Sequence, residues 1–363
     1  MTHRINAQPG ILDITPYVGG EGKTHGANHV TKLSSNENPL GPSARAVEAY
    51  TALATNIATY PDGSHFALRT AIAEVHGLRA DRIICGCGSD EILSLLCQAY
   101  AGPGTEIVHT QHGFAMYAIY AKVAGSTPVV VAEDTRRTDV DALLAAVTDR
   151  TRLVFVANPN NPTGTLIPDA EIERLADNLP PHVLLVMDGA YAEFVREPGY
   201  DGYAGLVGRR DNVVMTRTFS KVYGLGALRV GWAYGPDHVI DVLNRVRGPF
   251  NVTAAGLAAA EAAVRDTEWT EHCVIQNEVW REWLARQLAR AGIDSDPSHG
   301  NFICARFPDV DTAKAADAAL RQRGYIVRDV QGYDLPGCLR ITIGDETATR
   351  AVADILTKFM AAR

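Results

Sequence analysis

A largely parallel α/β sheet covered on both faces is the fold class this sequence predicts, on two grounds. Aliphatic runs at 83–84, 106–108, 128–131, 153–157, 183–187 and 212–216 read as short strands buried on both sides. Helical patterns separate them, so strand and helix alternate from about residue 80 to residue 235. With 363 residues, 46% of them hydrophobic, the chain exceeds one small core. Two domains, or one large α/β domain with an appendage, are therefore expected.

The elements follow in order. Residues 1–35 lack strong periodicity and read as an arm that packs on a neighbouring surface. Ile92, Leu95, Leu96 and Ala99 fall at i, i+3, i+4 and i+7, with Ser89 placed to cap that helix. Ile172, Leu175, Ala176 and Leu179 repeat the spacing after Pro168, a residue suited to a first helical turn. From residue 253 to 291 the chain is rich in alanine, tryptophan and mixed charge, with Gly256 its lone glycine, which predicts one or two long helices. Candidate strands at 301–306, 325–328 and 338–342 then form a smaller α+β unit. The expected division is an arm at 1–35, a large domain at 36–253 and a small C-terminal domain at 254–363.

Composition excludes several classes. Lys plus Arg number 34 against 42 Asp plus Glu, a net charge of −8 with no basic stripe for a phosphodiester backbone, so nucleic-acid binding is not expected. No apolar run approaches the ~20 residues of a membrane span. The first twenty residues have no basic segment followed by an apolar core, so no secretory signal is expected and cytoplasm is the default. Six cysteines are scattered, and the CxC pair Cys85 and Cys87 has no second pair to complete a zinc site; no metal is expected.

Chemistry concentrates where aliphatic runs end. The run 153–157 leads into NPNNPTG, 183–187 into DGAY and 212–216 into RTFSK. Ligands bind at the carboxyl ends of strands in open parallel sheets, so these loops should converge. Asn161, Asp188 and Lys221 are each about 30 residues apart, the length of a strand–helix–strand unit. Lys221 lies in TFSKVYGLGALRVG between small hydroxyl residues, eight positions before Arg229. A lysine in a loop is ordinarily a solvated charge. In this company its amine suits a Schiff base with pyridoxal phosphate, with Thr218, Ser220 and Arg229 on the phosphate.

Asp188 follows an aliphatic run where an unpaired carboxylate is costly, and a protonated pyridine nitrogen would remove that cost; an N-cap or structural ion pair is the plain alternative. Tyr191 and Asn161 suit the ring's phenolic oxygen, or a turn and a core. In IICGCGSDE, Gly86 and Gly88 stand between a strand and a helix start, an anion cup; the dinucleotide reading is weak because Glu91 stands where the third glycine belongs. Arg340, inside an apolar strand, is expected to face a crevice and meet an anion, with a structural ion pair as alternative. Phe114 either lies on a planar ring or packs in the core.

The motifs SNENPLGPS, TYPDG, CGSDE, NPNNPTG, DGAYAEF, TFSKVYGLGALRVG and CLRITIG, taken in this order across nearly the whole chain, resemble fold-type-I pyridoxal-phosphate aminotransferases, most of all the branch acting on histidinol phosphate. The resemblance implies a mostly parallel seven-stranded sheet sandwiched by helices, a smaller α+β C-terminal domain, and a homodimer with shared sites. It implies Lys221 as the cofactor lysine and proton carrier, Asp188 at the pyridinium, and Tyr191 and Asn161 at the phenolic oxygen. Phe114 would stack on the ring where many members carry tyrosine. The amides of Ser89 and Asp90, with Thr218, Ser220 and Arg229, would hold the phosphate, and Tyr60 would reach it from the second subunit. Arg340 and Arg328 would bind a phosphate in one half-reaction and carboxylates in the other, with Tyr17 closing over the substrate. An amino group would thus pass by a ping-pong scheme between L-histidinol phosphate and 2-oxoglutarate. Aromatic or broad-specificity transamination on the same scaffold is the nearest alternative, and a phosphothreonine decarboxylase a further one. A regulator built on such a body would need a DNA-binding domain, for which NENP at residue 36 leaves no room.

Overall fold

The computed structural model describes residues 5–22, 29–133 and 135–363, so part of the expected arm lies outside the described residues. Along the chain come β1 (Thr31–Lys32), α1 (Ala44–Ala52), α2 (Phe66–His76), β2 (Ile83–Gly86), α3 (Gly88–Tyr100), β3 (Glu106–Thr110), α4 (Met116–Val123) and β4 (Thr127–Val131). Next are α5 (Val140–Ala146), β5 (Thr151–Ala157), α6 (Asp169–Asn178), β6 (Leu184–Asp188), α7 (Ala204–Arg209), β7 (Val213–Thr218), β8 (Gly231–Tyr234), α8 (Asp237–Val246), α9 (Ala254–Arg265) and α10 (Thr267–Arg290). The chain closes with β9 (Asp294–Ser295), β10 (Phe302–Arg306), α11 (Val310–Gln322), β11 (Tyr325–Ile326), β12 (Arg328–Asp329), β13 (Cys338–Thr342) and α12 (Glu346–Ala361).

Seven strands form the main sheet in the order β2-β8-β7-β6-β5-β3-β4. Strands β3 to β7 pair in parallel, and β8 runs antiparallel to both its neighbours. Both faces are dry, which is why the strands read as unbroken aliphatic runs. Val154, Val156, Leu185 and Met187 pack on one side with α2, α6 and α9, while Leu153, Phe155, Leu184 and Val186 pack on the other with α3, α4 and α8. Each such side chain contributes about 1.5–3 kcal/mol by leaving water.

The small sheet, β12-β13-β10-β9, is antiparallel and has its own core with α10, α11 and α12. The expected strand at 325–328 divides: β11 pairs in parallel with β1, and β12 joins β13. The N-terminal segment is thereby tied to the C-terminal unit. The helical stretch after residue 253 breaks at Asp266, whose carboxylate accepts from the Trp269 amide and starts α10. Ala259 and Ala260 of α9 pack in the large core, whereas Leu284 and Leu288 of α10 pack in the small one. No helix among the described residues is long and apolar enough to cross a membrane.

Two local expectations need correction. Ser89 does not cap α3, which begins at Gly88 with Cys87 as N-cap. Glu91 does the capping instead, accepting from the Cys87 amide at 2.5 Å, a reach-back from the first turn. Pro168 stands at the N-cap of α6 and not inside its first turn. Strand β8 is an addition, since its four residues follow directly on the glycine-rich run after Lys221 and look like loop.

Gly231, paired with Gly86 at the end of β8, meets the start of α3 so closely that a Cβ there would lie 2.2 Å from the Ser89 nitrogen. Neither backbone can move without breaking a strand or a helix end. Gly231→Ala should therefore lower unfolding free energy by at least about 2 kcal/mol in urea titrations. An unchanged midpoint would mean that this contact is loose in solution.

Candidate active site

Strands β5, β6 and β7 are neighbours and parallel, so Ala157, Asp188 and Thr218 end side by side. The loops leaving them line a cavity of ≈ 350 Å³. All the expected site residues except Tyr60 and Arg328 line it: Tyr17, Ser89, Asp90, Phe114, Asn161, Asp188, Tyr191, Thr218, Ser220, Lys221, Arg229 and Arg340.

At its floor, Asp188 is buried and accepts from the Tyr117 hydroxyl at 2.7 Å and the Ala190 amide at 3.1 Å. No lysine, arginine or histidine pairs with it among the described residues. Burial raises its pKa, and the Tyr117 hydrogen bond opposes that rise. An uncompensated buried carboxylate costs about 3–5 kcal/mol, so the site is built for a cationic guest. Tyr117 escaped the sequence reading. Its ring stacks on Phe155 at 4.7 Å, and its signal was a tyrosine beginning an apolar helix, whose hydroxyl needs a partner once buried.

Lys221 donates to the Ser35 carbonyl at 3.0 Å. Burial first, and then the Arg340 guanidinium, lower its amine to about 8, so a neutral nucleophile is accessible near neutral pH. Arg340 is buried on β13 and donates to the Asn161 side-chain oxygen at 2.5 Å and the Ser34 carbonyl at 2.7 Å. Both acceptors are neutral, so the positive charge stays available to an anion. Arginine donates only, which fixes the Asn161 amide: its oxygen faces Arg340, and its NH₂ is the end free for a ligand.

The far wall is an anion cup. Arg229, in a left-handed conformation (φ 55°), donates to Ser220 Oγ at 3.1 Å and the Gly226 carbonyl at 3.0 Å, and lies 3.4 Å from Asp90. It presses on the start of α3, where a Cβ on Gly88 would sit 2.5 Å from its Nη2. Helix N-terminus, hydroxyls and guanidinium together suit a phosphate. Cup, lysine and unpaired carboxylate thus fit a group with an anion at one end, a carbonyl between and a protonated ring nitrogen at the other.

The asparagines of NPNNPTG separate by role. Asn158 bonds the Ile167 backbone and Tyr203, and Asn160 bonds the His112 carbonyl and Thr163, so both satisfy the loop, while Asn161 alone turns to the cavity. Phe114 lines the cavity and meets Tyr17 edge-on, with centroids 6.3 Å apart. Arg328 stands opposite Arg340 in the β12–β13 register, on the same sheet face, yet it does not line the cavity. Its guanidinium holds the N-terminal segment instead, donating to the Val18 carbonyl at 2.8 Å and lying 5.9 Å from the Tyr17 ring. Tyr60 is 78% exposed and stacks on Phe250 at 4.7 Å, in a different apolar groove with Tyr50 and Ile57. Asn36, which no local pattern singles out from its motif, is buried with φ 58°, lines the cavity and donates to the Tyr191 hydroxyl at 2.8 Å.

The lysine makes a pH-dependent prediction for the cofactor-free protein. With an amine near 8 when folded and near its ordinary 10.5 when unfolded, the unfolded state binds more protons between those values. Stability lost to burying the charge is therefore fully lost below pH 8 and recovered as pH rises towards 10.5. Lys221→Met should be more stable than the wild type at pH 7 by on the order of 3 kcal/mol, with the gap closing by pH 10.5. Urea unfolding of both proteins across that range checks it; a gap that widens with pH contradicts it.

The aminotransferase class I and II family model matches residues 28–356. The histidinol-phosphate aminotransferase of Ruegeria sp. (strain TM1040) is 61% identical over 358 residues, covering 99% of this chain and 98% of that protein. Its counterpart in Ruegeria pomeroyi is 60% identical over 361 residues, covering 99% of each. Among solved structures, histidinol-phosphate aminotransferase from Sinorhizobium meliloti in complex with pyridoxal-5'-phosphate superposes with a TM-score of 0.91 at 27% identity, covering 99% of each chain. Sheet order, convergent strand ends and full-length similarity agree, and the chain belongs to the class I and II aminotransferases.

Proposed function

We propose that this enzyme moves an amino group between L-histidinol phosphate and 2-oxoglutarate, giving imidazole-acetol phosphate and glutamate, as a pyridoxal-phosphate enzyme of histidine biosynthesis. The observation that carries the cofactor reading is the buried, unpaired Asp188 carboxylate in the same cavity as a lysine of lowered pKa. Identity of 60–61% with histidinol-phosphate aminotransferases over almost the whole chain supports the substrate.

Bound there, pyridoxal phosphate supplies an electron sink for the substrate's α-carbon. The chain's residues do the rest. Asp188 keeps the ring nitrogen protonated, and Tyr117 keeps Asp188 anionic. The Asn161 amide and Tyr191 hydroxyl hold the phenolic oxygen, and Phe114 covers the ring face. The Ser89 and Asp90 amides, Thr218, Ser220 and Arg229 take the phosphate. Lys221 tethers the cofactor and carries the proton to and from the α-carbon. Arg340 binds the substrate's phosphate in one half-reaction and a glutamate carboxylate in the other; Arg328, on the same sheet face, reaches the anion once it exchanges the Val18 carbonyl for it. Tyr17 shields the substrate. The chain works as a homodimer in which Tyr60 completes the second subunit's phosphate site, a reading supported by the exposed apolar groove of Tyr50, Ile57, Tyr60 and Phe250.

Two measurements test this. kcat/KM for L-histidinol phosphate should exceed that for L-phenylalanine by about a hundredfold, because two guanidiniums on one sheet face, Arg340 and Arg328, suit a phosphate dianion better than the single carboxylate of phenylalanine. A preference for phenylalanine would move the enzyme to the aromatic class. Arg340→Gln should raise KM for histidinol phosphate and for glutamate alike, by about a hundredfold or more, the usual loss when one member of a desolvated ion pair is removed. A rise for one substrate only would rule out a shared anion pocket.

A further inference from the structure

The Tyr191 hydroxyl accepts from Asn36 Nδ2 at 2.8 Å and has no acceptor for its own proton among the described residues. Which end of the Asn36 amide faces Tyr191 is decided elsewhere. The Asn36 backbone N–H donates to Thr342 Oγ1 at 3.0 Å, and Thr342 Oγ1 donates to Asn36 Oδ1 at 2.9 Å. Thr342 is buried, and Asn36 Oδ1 is the acceptor its proton has. Turning the amide over would strand that proton, so Oδ1 stays on Thr342 and the NH₂ stays on Tyr191. A phenol oxygen that receives a hydrogen bond from one side sends its proton to the other. Tyr191 lines the cavity, and the proton points there.

We infer that Thr342, acting through Asn36, is a positioning residue that aims the Tyr191 proton at the cofactor's oxygen. The inference rests on the pyridoxal-phosphate reading of the cavity. It also joins the small sheet to the chemistry: Thr342 lies two residues after Arg340 on β13, so the strand that offers a guanidinium to the substrate also orients the tyrosine. Asn36 is held for the task by a third contact, its carbonyl accepting from Asn301 Nδ2 at 2.9 Å. Without the threonine hydroxyl, the amide is free to turn its oxygen to Tyr191 and draw the proton out of the cavity. Other charged and titratable groups facing Tyr191 are Lys221, with Nζ 5.8 Å from the ring centroid, Arg340, Asp188 and Tyr17. Thr342→Val leaves all four in place.

The test is the pH midpoint of the visible absorption change of protein loaded with pyridoxal phosphate, a readout independent of turnover. A donor at the cofactor's oxygen favours the less protonated form, so losing it raises the midpoint. Thr342→Val, with Thr342→Ala carried alongside as a second hydroxyl-free variant, should raise it by about half to one pH unit, and Thr342→Ser should restore it. In a Tyr191→Phe background, Thr342→Val should have no further effect. An unmoved midpoint in Thr342→Val, or an equal shift in the Tyr191→Phe background, overturns the relay while leaving the site reading intact. A wild-type protein that binds no chromophore overturns the site reading and the relay with it.

Discussion

A carboxylate without a counter-ion governs this molecule. Asp188 ends the central strand of a sheet that is dry on both faces, and the groups that reach it, a phenol, an amide and the Thr216 hydroxyl at 3.5 Å, are neutral. Hydrogen bonds hold its charge in part, yet burial still dominates its pKa. A ligand can remove such an expense, and in the proposed site a protonated ring nitrogen would do so by meeting the charge directly. Binding energy would thereby be placed where it also keeps the ring an electron sink.

Neutral acceptors do the complementary work on the positive side. Arg340 is fixed by an amide oxygen and a backbone carbonyl, and Lys221 by another carbonyl. A carboxylate in either place would have oriented the cation and cancelled it. Carbonyls orient without cancelling, so Arg340 keeps its charge available to an anion and also helps hold the nearby amine low. Elsewhere the chain does use full ion pairs: Arg217 and Glu193, their side chains both buried and 3.0 Å apart, tie the end of β7 to the loop that carries Tyr191. Within the site Arg229 does lie 3.4 Å from Asp90, an exposed contact that leaves its other nitrogens on Ser220 and the Gly226 carbonyl.

Much of this was legible in the sequence because parallel strands buried twice must be aliphatic throughout, and because their ends then fall at a spacing that brings Asn161, Asp188 and Lys221 together. What escaped depends on partners distant in sequence or on short elements. Tyr117 matters through a bond across 71 positions and Asn36 through one across 155, and no local pattern marks either. Strand β8 is four residues inside a glycine-rich passage. Ser89 looked like a cap because a serine before an apolar helix usually is one, but Glu91 reaches the Cys87 amide first and leaves the serine inside the turn. Arg328 and Tyr60 have the right chemistry, and a single chain holds them outside the cavity: one is engaged by the N-terminal segment, the other faces outward.

The segment from residue 31 to 36 explains why side-chain reading alone falls short. It is stitched to the small unit by main-chain bonds, with the Leu33 amide donating to the Ile326 carbonyl at 2.7 Å and the Leu33 carbonyl accepting from Thr342 at 3.0 Å. On its other side, successive carbonyls of Ser34 and Ser35 receive Arg340 and Lys221. Asn36 then adopts a left-handed backbone, which costs a non-glycine residue about 1–2 kcal/mol and is offset by the bonds its amide makes to Thr342 and Tyr191. Two of these three consecutive contacts use groups that every residue possesses. A stretch can therefore hold two of the cations that line the cavity, Lys221 and Arg340, while only its asparagine shows any sign of it in the sequence.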